Sequence, residues 1–154
     1  MSTDASSIRE PLEHAIRLCF QSLDLADDVE IEVIGDASDA PRAIATLPLG
    51  GDRGLWLECR VLDDVSAKGI CFALSKGGTI TGNNIDDGAC EIANIVGGYM
   101  RPNLEAEFGK LALGVAKSGF RASDSQSQLL GLQCRGEGFA VEFFVGSGLN
   151  PATS

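Results

Sequence analysis

The spacing of apolar residues changes period three times along this chain of 154 residues, and that order of periods limits the folds open to it. In "SIREPLEHAIRLCFQSL", Ile8, Leu12, Ala15, Ile16, Cys19 and Leu23 recur at helical intervals. They predict an amphipathic helix over 7–23, with Pro11 tolerated if it falls in the first turn. "VEIEVIG" then alternates Val29, Ile31 and Val33 with Glu30 and Glu32, the period of a half-buried strand. Further strands are expected at 44–49, 55–62 and 69–74, the last two joined by a turn in "DDVSAK". "IDDGACEIANIVGGYM" returns to helical spacing. After it, "KLALGVAKSG", "LLGLQCRG" and "FAVEFFVG" supply three more strands, with "GEG" as a hairpin turn between the last two. Helix, strands, helix, strands argues for an α+β fold. The expected form is a largely antiparallel sheet covered by the N-terminal helix and the central helix, in place of a βαβ nucleotide fold.

One core is expected, since a chain of this length buries roughly 70% of its unfolded surface and has no interior linker or low-complexity tract. The reading is a single domain over 1–154, ordered from about 7 to 147. No apolar run reaches the ~18 residues of a membrane span, and "MSTDASSIRE" lacks the pattern of a secretion signal, so a cytoplasmic protein is expected. With 12 Lys+Arg against 22 Asp+Glu, the net charge of -10 disfavours nucleic acid and acidic membranes as partners. The five cysteines are odd in number, scattered, and form no CxxC pair, so they read as reduced core residues. A lone histidine, His14, leaves neither a zinc cluster nor the base that a Ser-His or Cys-His hydrolase needs. The glycine-rich "LGGDRG" and "SKGGTITGNN" match no phosphate-cradling motif.

The central helix keeps polar residues in an unusual place. Asn84 is positioned to cap it, with Asp86 and Asp87 in the first turn, where carboxylates suit the positive end of the helix dipole. At about 100° per residue, Ile85, Ala89, Ile92, Val96 and Tyr99 form the stripe expected to pack on the sheet. Asp87, Glu91, Asn94 and Gly98 fall on the opposite stripe. A solvated helix face would account for such residues, and Gly97 or Gly98 could be a C-cap ahead of Pro102. Against that, an Asn and two glycines inside a helix cost roughly 2 kcal/mol relative to alanine, and Tyr99 and Met100 continue the apolar pattern past them.

"CEIANIVGG" resembles the E-x-x-N-x-x-x-G signature of the CheC/CheX phosphatases of bacterial chemotaxis, with Glu91, Asn94 and Gly98 at the matching positions. The chain carries one such motif, as CheX does, where CheC-type members carry two. It departs from the family in "LALGVAKSGF", which lacks the proline expected in the strand after the motif helix. The resemblance implies hydrolysis of the aspartyl phosphate on a CheY-like receiver domain by an oriented in-line water, with Glu91 and Asn94 as the catalytic pair. It assigns partner binding to Asp87, Glu91 and Gly98. No metal is expected on this chain, because Mg²⁺ comes with the receiver, and a homodimer joined through sheet edges is implied. The alternative is a non-catalytic receiver-binding or flagellar-switch-like assembly module of the same fold.

Overall fold

A computed structural model describes residues 3–25, 28–38, 40–51, 54–76, 84–119 and 128–147. Its centre is β3 (Leu55–Val61), a strand buried along its whole length because both of its faces are covered. Leu55, Leu57, Cys59 and Val61 join the main hydrophobic core, whereas Trp56 belongs to a separate cluster with Phe144, Ile34 and Ala37. That division follows from the two-residue period of a strand, which sends alternate side chains to opposite faces. β3 pairs with β2 (Ala43–Gly51) on one side and β7 (Phe139–Ser147) on the other. Outward from β7 lie β6 (Gln128–Gly136) and β1 (Glu30–Val33); outward from β2 lie β4 (Leu111–Leu113) and β5 (Lys117–Ser118). Every pairing is antiparallel, as expected from the sequence. The β6–β7 hairpin turns at Glu137 and Gly138, whose φ of 83° suits the glycine in "GEG".

The main core lies between the sheet and two long helices, α1 (Thr3–Ser22) and α3 (Ile85–Phe108), which pack against each other. α1 begins four residues before the expected start, so Pro11 sits in its third turn and not its first, and removes one N–H from the helical ladder. Ile8, Leu12, Ala15, Ile16, Cys19 and Phe20 are nevertheless fully buried, and that burial holds the helix together. Val29 is buried and Ile31 half-buried, but Val33 is 49% exposed because β1 is an edge strand with a neighbour on one side only.

Residues 69–74 are not a strand, and "DDVSAK" is not a turn: from Asp64 onward both belong to α2 (Asp64–Lys76), with Asp63 just ahead of it. Ala67, Ile70, Cys71 and Leu74 are buried at helical spacing, while Phe72 is 70% exposed. The helix is started by Asp63, whose carboxylate accepts the N–H of Ser66 at 2.8 Å. Hydrogen bonds from the Ser66 hydroxyl and N–H hold the Asp63 pKa below its ordinary value. The Ser66 hydroxyl also accepts the N–H of Ala140, tying the start of α2 to β7.

The expected strand over "KLALGVAKSG" is broken in two. Opposite the break lies Pro48 of β2, which has no N–H to give to a ladder. Gly50 pairs with Ala112 and Thr46 with Lys117, leaving residues 114–116 off the ladder, and Gly114 donates instead to the Pro48 carbonyl at 2.8 Å. The glycine-rich stretch over 77–83 lies outside the described residues, as do residues 52–53 of "LGGDRG" and the two chain ends, 1–2 and 148–154.

Beside the Trp56 and Phe144 cluster, the second face of the sheet carries a buried polar network. Arg60 on β3 stands opposite Glu142 on β7, and both are almost fully buried, as is Glu58. Glu142 accepts from the Ser38 N–H at 3.0 Å and from the Ser38 hydroxyl. Arg60 donates to the Ser38 carbonyl at 2.7 Å and to Glu58 at 3.3 Å. These bonds fasten the segment between β1 and β2 onto the sheet.

Candidate functional site

α3 owes its start to Asn84. The Asn84 side-chain oxygen accepts the N–H groups of Asp86 at 3.0 Å and Asp87 at 3.3 Å, satisfying two donors that the helix cannot satisfy itself. The helix runs unbroken past Gly97, Gly98 and Pro102 to Phe108 and is capped at Gly109, so neither member of the glycine pair is a C-cap. Ile85, Ala89, Ile92 and Val96 are buried as expected. Tyr99 is not: it is 40% exposed. In the second half of the helix the buried arc turns toward Met100, Leu104 and Phe108, which leaves Tyr99 at its edge.

On the outer side, Asp87 is exposed, whereas Glu91, Asn94 and Gly98 are half-buried. The stripe is therefore a shallow trough and not an open helix face. α1 packs beside α3 on one side, and the charge of Glu91, after burial, helps push the Cys19 thiol up to about 12. Leu113 of β4 borders Gly98. Asp87 sits at the exposed end of the trough, one turn before Glu91.

The two glycines differ in kind. A Cβ on Gly97 would lie 2.4 Å from the Leu47 side chain of β2, which is fully buried and would have to move within the packed core. Among the described residues, a Cβ on Gly98 would meet only Leu113, at an ordinary 4.0 Å. The described neighbours leave room for a larger residue at 98, yet the chain accepts about 1 kcal/mol of lost helix propensity there. Gly97→Ala is expected to destabilise the protein by about 1–3 kcal/mol through overpacking, and Gly98→Ala to stabilise it by a few tenths to about 1 kcal/mol. Thermal unfolding of the two variants checks this; a comparable loss in both would make Gly98 a packing residue.

Among the described residues, the thiols are poor nucleophiles. Cys19, Cys59, Cys71 and Cys134 are buried and free, and burial raises each thiol above its ordinary value; Cys90 is half-buried and raised by burial and then by Asp87, Asp86 and Glu91. Among the described residues, no group of three or more His, Cys, Asp and Glu side chains could hold a metal ion. His14 lies on the exposed side of α1. What the trough offers is a carboxylate, an amide one turn further on, and a depression at Gly98: groups that bind and orient. Leu113 was not singled out in the sequence. Its signal was the even spacing from Leu111, which is buried while Leu113 is 42% exposed.

An antiparallel sheet carrying a long helix, with an acid and an amide turned away from the core, defines an α+β domain. The fold is that of the CheX and CheC-like chemotaxis proteins. A CheX from Desulfovibrio desulfuricans superposes with a TM-score of 0.70 at 11% identity, over 92% of this chain and 99% of that one. A CheC-like protein from Shewanella oneidensis gives 0.68 at 8% identity, over 92% and 98%. A CheX from Borrelia burgdorferi, solved in complex with CheY, BeF₃ and Mg²⁺, gives 0.66 at 14% identity, over 92% and 98%. No protein-family model and no curated protein matches the sequence. No helix among the described residues is long and apolar enough to cross a membrane.

Proposed function

We propose that this chain, acting as one domain in the cytoplasm, hydrolyses the aspartyl phosphate of a CheY-like receiver domain. The observation that carries the reading is the trough of α3, where Glu91, Asn94 and Gly98 share one half-buried face while the described neighbours leave room for a larger residue at 98. The resemblance of that motif to the CheC/CheX signature, and the complex that a structural neighbour forms with CheY, BeF₃ and Mg²⁺, support it.

The chemistry asks little of this chain. An acyl phosphate leaves a carboxylate behind, which is a good leaving group, and a receiver brings the Mg²⁺ that neutralises its phosphoryl oxygens. Water attacks phosphorus in line, the bond to the aspartyl oxygen breaks, and inorganic phosphate leaves with the water's proton. The remaining task is to hold that water, and positioning with electrostatics dominates phosphoryl transfer. The Asn94 amide has an acceptor and two donors but no useful basicity, so it orients the water without taking its proton. Glu91 pairs with the receiver's active-site lysine and sets the docking register. Asp87 lies at the rim, and Gly98 lets the receiver backbone approach.

The test is to phosphorylate the CheY-like receivers encoded with this chain, add the protein in Mg²⁺, and follow phosphate release. Acceleration of one or more receivers, abolished by chelating Mg²⁺, supports the reading. Binding without acceleration would leave a receiver-binding module.

Two copies are proposed to join through a sheet edge, since among the described residues β1 and the β4–β5 side each pair with one neighbour only. Light scattering is expected to give twice 16.1 kDa; a mass of 16.1 kDa at micromolar concentration would contradict this.

A further inference from the structure

We infer that Leu113 is a specificity-determining contact for the docked partner: where the receiver backbone passes over Gly98, an apolar side chain of the receiver seats against Leu113. The inference rests on the receiver-binding reading above. Its own observations are the open space at Gly98 and the side chain that borders it. Among the described residues, Leu113 Cδ1 is the one neighbour within reach of a Cβ built at Gly98, and Leu113 Cδ2 lies 3.4 Å from a Cβ built at Gly97. One leucine thus leans over both glycines and walls the depression.

Leu113 is a large apolar residue left 42% exposed at the end of β4, whose other leucine, Leu111, is buried in the main core. Four residues of helix separate Asn94 from Gly98, which is about 6 Å along the axis at about 1.5 Å per residue. A standard interface covers about 800 Å² on each partner, so a receiver centred on Asn94 extends well beyond Gly98 in every direction. A partner close enough to place its phosphoryl group at Asn94 therefore covers Leu113. Its chemistry at that point is apolar, because a charged group set against the Leu113 side chain would lose water and gain no partner. Leu113 touches neither the water nor the phosphoryl group, so it acts on affinity and partner choice and leaves the chemical step alone.

The experiment compares the full chain with Leu113→Asp and Leu113→Met, using CheY-like receivers encoded with this chain. Phosphate release is measured over receiver concentration, binding to the beryllofluoride-activated receiver in Mg²⁺ is titrated, and melting and mass are recorded. Leu113→Asp is expected to raise KM and Kd roughly tenfold, the scale of losing a well-placed interface side chain. Its kcat is expected to stay within about twofold, and Leu113→Met to behave as wild type. Unchanged KM and Kd in Leu113→Asp, with wild-type turnover intact, would overturn the inference and leave the phosphatase reading standing. Wild-type binding without turnover, weakened tenfold by Leu113→Asp, would sustain the inference and remove the enzyme. A change of mass in Leu113→Asp would assign the residue to self-association and overturn the inference, as would a wild-type chain that binds no receiver. If Leu113→Asp melts early, Gly98→Leu fills the same depression from the helix side and is expected to raise KM and Kd in the same way; unchanged values there would overturn the inference.

Discussion

Asn94→Ala is expected to lower receiver dephosphorylation by on the order of 100-fold while leaving receiver binding nearly intact. Loss of one group that acts only in the transition state has that scale and that signature, because ground-state affinity does not depend on it. The substitution removes an amide from a half-buried, outward face and leaves the buried stripe of Ile92, Val96 and Met100 untouched. Stability is therefore expected to change by less than about 1 kcal/mol. Glu91→Ala should behave differently: its carboxylate is engaged on docking, so binding weakens at least as much as the maximal rate falls. Single-turnover decay of a phosphorylated receiver, measured beside a binding titration, separates the two patterns. Loss of binding in Asn94→Ala would move that residue from catalysis to docking.

The largest effect on stability is expected on the far face of the sheet. Glu142→Ala removes the acceptor of the Ser38 N–H and hydroxyl and takes one of the two carboxylates beside the buried Arg60 guanidinium. Breaking a buried charge network by deleting one partner costs about 3–5 kcal/mol, a large share of the roughly 5–15 kcal/mol that holds a domain folded. Urea unfolding should show that loss, and Glu142→Gln, which keeps an acceptor for Ser38, should lose less. Because the network lies across the sheet from α3, phosphate release per folded molecule should be unchanged in both variants. A loss below about 1 kcal/mol in Glu142→Ala would mean that water replaces the carboxylate and that this face is open.

The sequence carried the motif helix well because its signals are local. Asn84 caps the residues that follow it, and Ile85, Ala89, Ile92 and Val96 need only the helical period to be read. The β6–β7 hairpin was legible for the same reason, in two apolar runs around "GEG". α2 was not, since "GICFAL" is an apolar run too short to fix its own period, and the cap made by Asp63 and Ser66 looks like a turn until Ser66 is seen bonded to Ala140. Tyr99 followed the helical count but not the turning of the buried arc, which depends on how α3 crosses the sheet. The interruption after Leu113 comes from Pro48, some 65 residues earlier and paired with that strand only in three dimensions. Alternation along β3 and β7 likewise marks Glu58, Arg60 and Glu142 as sharing a face, but burial of that face is a tertiary fact. Glu91, Asn94 and Gly98 were found by their spacing; the side chain that borders them, Leu113 of β4, comes from another segment and required the fold.

The most direct measurement is phosphate release from a phosphorylated receiver with wild type, Asn94→Ala and Asn94→Asp in one assay. If Asn94 orients water beside an anionic phosphoryl group, wild type accelerates release and the aspartate variant is as inactive as the alanine one, because its added negative charge repels the phosphoryl group and its basicity has no role. Full activity in Asn94→Ala, with melting unchanged, or an aspartate variant as fast as wild type, would contradict it.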